Sequence, residues 1–116
     1  MEESIALAAL AALAQPTRLA VFRLLVSHEP RGLAAGDVAS ALDVPQNTMS
    51  AHLAVLARAG LVATERQGRS IIYRARLDAL RALMVFLARD CCSAHPELCT
   101  PLLADLACGP ACENER

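Results

Sequence analysis

At 116 residues and 12.3 kDa the chain has the size of one compact domain, which excludes two independent cores and a long substrate cleft. Hydrophobic residues make up 55 % of it and mean hydropathy is +0.37, too apolar for a disordered segment, although only 3 % is aromatic. All 11 basic residues are Arg, set against 12 acidic ones, so bulk charge cannot hold the chain to nucleic acid and only a local basic face could.

With 24 Ala and 19 Leu, helix is the default conformation. Ser4 is placed to cap a first helix in which Ile5, Leu7, Leu10 and Leu13 sit among small alanines, and Pro16 stops it. The uncharged run from Ile5 to Ala14 is half the length of about 20 residues that a membrane span requires. Glu2 and Glu3 precede it, where a secretory leader is positively charged. The expectation is a cytoplasmic protein with no membrane partner.

A second helix starts at Pro16 and places Leu19, Phe22 and Val26 on one stripe with Leu25 alongside, ending at Pro30 and Gly32. A shorter third helix runs from Ala35 to Leu42, with Val38, Ala39 and Leu42 inward, and breaks at Asp43-Val44-Pro45. The fourth, Gln46 to Ala59, repeats Met49, Leu53 and Leu56 at helical spacing and has Gly60 just past its end. Its other face is Gln46, Asn47, Thr48, Ser50, Ala51, His52 and Arg58, with hydrogen-bonding side chains concentrated in the first two turns.

After Gly60 the apolar spacing changes from helical to alternating, over Leu61 to Arg66 and again over Ser70 to Ala75, which predicts a β-hairpin joined by Gln67-Gly68-Arg69. Arg66 and Arg69 lie near its tip, and Arg74 and Arg76 follow on the return strand. A fifth helix, Leu77 to Asp90, aligns Leu77, Leu80, Met84 and Leu87 with Leu83 and Phe86 beside them, a stripe broad for a lone terminal helix. Pro96 disfavours helix at His95, and Thr100-Pro101 predicts a short final helix through Cys108. The expected division is residues 1–90 as the folded domain and 91–116 as a cysteine-rich tail.

A short helix, a tight turn, a second helix with a polar start and an Arg-bearing hairpin make the pattern of a winged helix-turn-helix, mainly α with one β-hairpin. A helix seated in the major groove needs short hydrogen-bonding side chains near its N-terminus, where base edges are read and the helix dipole faces phosphate. The arginines of the hairpin can approach phosphate or the minor groove. The plainer alternative is a small helical protein whose fourth helix has only a solvated face.

The stretches Leu13-Ala14-Gln15-Pro16-Thr17-Arg18-Leu19, Asn47-Thr48-Met49-Ser50-Ala51-His52-Leu53-Ala54-Val55-Leu56, Ala59-Gly60-Leu61-Val62 and the hairpin from Glu65-Arg66-Gln67-Gly68-Arg69 to Tyr73 resemble the ArsR/SmtB family of metal-sensing bacterial repressors. The resemblance runs from Leu10 to Leu87. It implies a homodimer packed through the first and fifth helices, which would cover their broad apolar faces. It also implies operator contacts from Gln46, Asn47, Thr48, Ser50 and His52 to double-stranded DNA, with Arg66 and Arg69 on the wing. For His52 a phosphate or solvent contact is the alternative to base reading, and Tyr73 reads as a packing residue. The family usually carries Ser or Thr where this chain has Ala34 and Pro45, so the caps of the third and fourth helices differ, with Pro45 a candidate first-turn residue.

Cys91, Cys92, Cys99, Cys108 and Cys112 all lie after residue 90, a clustering that favours a reduced compartment and a local thiol site over a disulfide framework. Three thiolates suit trivalent arsenic or antimony. Many arsenic sensors of the family carry cysteines in the third helix, in the stretch matching Gly36 to Asp43; this chain has none there. It is similar instead to members whose inducer site follows the fifth helix, and Cys91, Cys92 and Cys99 fit that arrangement, with Cys108 and Cys112 as secondary candidates. Neighbouring residues on an α-helix point about 100° apart, so Cys91 and Cys92 sharing one ion would distort the helix end.

The expected inducer is therefore trivalent arsenic or antimony, inorganic or methylated, releasing a repressor from its operator, with no catalytic cofactor. Zinc or cadmium sensing, with His95 among the ligands, and a thiol redox switch are alternatives on the same fold. A thiol enzyme is disfavoured: Cys91 and Cys92 follow a helix C-terminus, where the dipole opposes thiolate, and the chain has no glycine-rich phosphate loop.

Overall fold

The computed structural model describes residues 1–94 together with residues 101, 104 and 105. Its elements are α1 (Glu3–Leu13), α2 (Pro16–Ser27), β1 (Leu33–Ala34), α3 (Ala35–Leu42), α4 (Gln46–Arg58), β2 (Val62–Gln67), β3 (Ser70–Ala75) and α5 (Leu77–Ala94). Met1–Leu83 forms one compact unit and a second begins at Met84. The packing described below lies within the first.

Helix α1 departs from its expected capping and its expected stripe. Glu2, in extended conformation, is the N-cap without a side-chain cap bond, and Ser4 lies inside the first turn, its hydroxyl donating to Glu2 Oε1 at 2.6 Å. The buried positions are Ala6, Ala9 and Ala12, whereas Ile5 and Leu7 are 51 % and 57 % exposed. Methyl side chains let α1 lie close on its neighbours, and the larger apolar groups are turned to the outside. Periodicity favoured the bulky residues because hydropathy does not weigh close approach.

Gln15 caps α2, its Oε1 accepting from the Arg18 N–H at 2.8 Å, and Pro16 supplies a first-turn φ. The two helix axes meet at 102°. Helix α2 buries Val21, Phe22 and Leu25; Leu19, expected on the inner stripe, is exposed, and Val26 is half-buried. Helix α3 matches its expected bounds, with Val38 and Ala39 buried and Leu42 half-buried. Helix α4 buries Met49, Leu53 and Leu56 completely, and Gly60 follows it at φ +81°. Leu25, Met49, Leu53, Leu56, Leu61, Val21 and Val38 are the largest fully sealed side chains.

The hairpin forms as expected, with a two-residue loop of Gly68 and Arg69 between the paired Gln67 and Ser70. Gly68 has φ +64°, the left-handed first position of a primed turn. A third strand was not anticipated: β1 pairs antiparallel with β3, Leu33 opposite Tyr73 and Ala34 opposite Ile72, so the order is β1-β3-β2. Two residues are too few to show an alternating pattern.

Helix α5 extends past the expected end at Asp90 to Ala94, because no breaker precedes Pro96. Leu83 is buried, while Leu77, Val85 and Leu87 are exposed. Pro101, Ala104 and Asp105 are helical. Among the described residues no single helix is long and apolar enough to cross a membrane.

Candidate nucleic-acid interface

The turn between α3 and α4 is fixed by backbone geometry and not by side-chain caps. Asp43 takes a left-handed conformation at φ 56°, and the Val44 N–H donates back to the Ala39 carbonyl at 3.0 Å, closing the end of α3. Pro45, anticipated in the first turn of α4, is instead its extended N-cap, with the Met49 N–H donating to the Pro45 carbonyl at 2.9 Å. Pro45 cannot continue α3 and presets the backbone entering α4. Ala34 likewise caps α3 without a side-chain bond.

Sealing Met49, Leu53 and Leu56 fixes which way α4 faces. Gln46, Asn47, Thr48 and Ser50 are exposed along its first turns. Asn47 Oδ1 accepts from the Thr48 N–H at 2.9 Å, while the side chains of Gln46, Thr48 and Ser50 make no hydrogen bond among the described residues. Gln46 lies beside Gly36 of α3, its Nε2 at 3.9 Å from where a β-carbon there would stand. His52 is half-buried, which sets it apart from the other four.

The wing is less basic than its four arginines suggested. Arg74 is clamped by Glu29, Nε to Oε2 at 3.3 Å and a terminal nitrogen to Oε1 at 2.9 Å. These bonds hold its guanidinium even above its ordinary pKa. Arg76 bonds Asp78 at 3.0 Å, which lowers the Asp78 carboxyl below the usual carboxylate range. Arg66 and Arg69 are exposed at the tip, and neither has an ion-pair partner among the described residues. Arg66 stands opposite Ile71 in the ladder, and Tyr73 is half-buried between Leu33 and Thr64.

Sequence reasoning missed Glu29, since a partner 45 residues from Arg74 leaves no local spacing. Cys91 and Cys92 lie on the last helical turn of α5, which runs past its expected end at Asp90. Cys99, Cys108, Cys112 and His95 lie outside the described residues. Among the described residues no three His, Cys, Asp or Glu side chains group to hold a metal ion.

Residues 13–65 match a family profile described as a helix-turn-helix domain. The chain is 33 % identical over 86 residues to the transcriptional activator HlyU of Vibrio cholerae, covering 74 % of this chain and 77 % of that one. The chain belongs to the ArsR/SmtB family. Its fold is similar to that of an ArsR-like transcriptional regulator from Rhodococcus sp. RHA1, with TM-score 0.70, 27 % identity and 82 % and 87 % of the two chains covered. It is also similar to a homodimeric winged helix-turn-helix DNA-binding domain from Mycobacterium bovis, described as a possible ArsR-family regulator, with TM-score 0.62, 26 % identity and 78 % and 82 % covered. ArsR/SmtB proteins are transcriptional regulators, and α3, α4 and the β2–β3 wing are this chain's winged helix-turn-helix.

Proposed function

We propose that the chain acts in the cytoplasm as a homodimeric repressor. It holds operator DNA through Gln46, Asn47, Thr48 and Ser50 on α4, with His52 at the edge of that set and Arg66 and Arg69 on the wing. The observation that carries this reading is the division of α4, sealed at Met49, Leu53 and Leu56 and open along a polar first two turns. Short donors and acceptors at a helix start suit base edges in the major groove. Two guanidiniums at a hairpin tip, without ion-pair partners among the described residues, suit the flanking phosphates. Ile5 and Leu7 of α1 are exposed apolar residues that a second copy would cover, and Val85 and Leu87 of α5 are, separately, two more.

The inducer in this reading is trivalent arsenic or antimony, including methylated arsenicals, held by the thiolates of Cys91, Cys92 and Cys99. Soft thiolates prefer such ions, and the position of the first two on consecutive residues of α5 supports a coupling to the dimer element. A ligand releases DNA to the extent that it favours the DNA-incompetent state. Gel-shift under strictly reducing conditions with an arsenite titration tests this. Release is expected for the wild-type chain and loss of response for Cys91→Ser, Cys92→Ser and Cys99→Ser. DNA binding retained at saturating arsenite would remove the thiol-sensing claim and leave the DNA reading intact.

A further inference from the structure

We infer that Glu29 positions the wing for DNA: by clamping Arg74 at the base of β3 it sets the angle between the Arg66 and Arg69 tip and α4. The inference rests on the reading that α4 and the wing both hold DNA.

Three attachments converge on the wing base. The first is the β1–β3 ladder at Leu33–Tyr73 and Ala34–Ile72. The second is a close approach at Gly32, where a β-carbon would stand 2.6 Å from both the Tyr73 carbonyl oxygen and Arg74 Cγ. The third is the two-bond clamp of Glu29 on Arg74, in which the Glu29 side chain is 12 % exposed and the Arg74 side chain 35 %. The pair borders a cleft of about 410 Å³, also lined by Thr64, Glu65, Arg76 and Asp78, which adjoins the start of α5. Beyond these attachments the wing is a two-stranded ribbon whose residues from 63 to 71 are all exposed, and such a ribbon has little stability of its own.

Orientation must therefore be set at the base. β1 runs directly into α3, since Ala34 is both the last strand residue and the helix N-cap, so the wing base and the helix-turn-helix share one continuous segment. The tip at Arg69 is five residues from Arg74, roughly 16 Å at strand rise. A swing of about 10° then moves it by roughly 3 Å, more than a hydrogen bond to phosphate tolerates. Arg74 spends two donors on Glu29, which makes it a strut and not a phosphate contact.

The test measures binding to a DNA duplex selected by the wild-type chain from a random pool, at several salt concentrations and well below each variant's unfolding temperature. Glu29→Gln is expected to weaken binding about five- to tenfold. It should leave the salt slope unchanged, and it should have no further effect in an Arg66→Ala/Arg69→Ala background. The exchanged pair Glu29→Arg/Arg74→Glu is expected to recover part of the loss. Should Glu29→Gln fail to fold, Arg74→Gln breaks the same pair from the other side. An unchanged affinity in the foldable variant, an equal loss in the tipless background, or a salt slope reduced by Arg74→Gln would overturn the inference. If Arg66→Ala/Arg69→Ala itself binds like wild type, the underlying wing reading fails instead.

Discussion

The guanidinium of Arg18 reaches back over the Pro16 break and donates through Nε to the Ala12 carbonyl at 2.6 Å, tying the start of α2 to the end of α1. With Gln15 capping from the other direction, this contact satisfies backbone groups on both sides of the 102° corner. Arg18→Ala is expected to lower stability by about 1–2 kcal/mol. Urea denaturation checks it, and a Lys variant should recover only part of the loss, because an ammonium cannot reproduce the planar donor.

Gly32 and Gly68 both have positive φ but differ in surroundings. At Gly32 a β-carbon would meet the Tyr73 backbone; at Gly68 nothing lies within 4 Å. Gly32→Ala should therefore cost about 3 kcal/mol or more, and Gly68→Ala only about 1 kcal/mol from its left-handed backbone. Equal thermal shifts in the two variants would contradict the close approach of β1 to β3.

On the wing, Arg66→Ala and Arg69→Ala are each expected to weaken DNA binding and reduce the salt slope by about one. Arg76→Ala, whose side chain is engaged by Asp78, should leave the slope nearly unchanged. Fluorescence anisotropy across a salt series distinguishes the two behaviours.

Asp43 is held left-handed in the turn before α4. Asp43→Val should cost about 1–2 kcal/mol and Asp43→Gly should hold or raise stability, since only glycine enters that region without strain. Calorimetry of the two variants reports the difference.

Asp78 is held below the ordinary carboxylate range chiefly by the hydrogen bond from Arg76. A depressed folded value means that its small contribution is present above the unfolded value of about 3.9 and is lost as pH falls through the folded one. Side-chain carbon NMR should show Asp78 titrating low in the wild type and returning toward the ordinary range in Arg76→Gln.

The helix-turn-helix was legible in the sequence because Val38, Ala39, Met49, Leu53 and Leu56 recur at helical spacing and Pro45 and Gly60 bracket α4. What escaped depended on partners distant along the chain or on size. The β1 strand has only two residues, Glu29 meets Arg74 across 45 positions, and the inner face of α1 is chosen by small volume. Arg74 and Arg76 looked like free cations because a sequence shows charge but not pairing. Of the proposed DNA contacts, exposure separates Gln46, Asn47, Thr48 and Ser50 from the half-buried His52.

The three sealed side chains of α4 carry its attachment to the fold, and none of the four exposed polar residues at its start shares that task. On the proposed reading, recognition and foldability are thus written on separate letters of the same helix. A library randomised at Gln46, Asn47, Thr48 and Ser50 should stay almost uniformly folded. Such a chain can drift toward a new operator by single substitutions without first acquiring a reserve of stability.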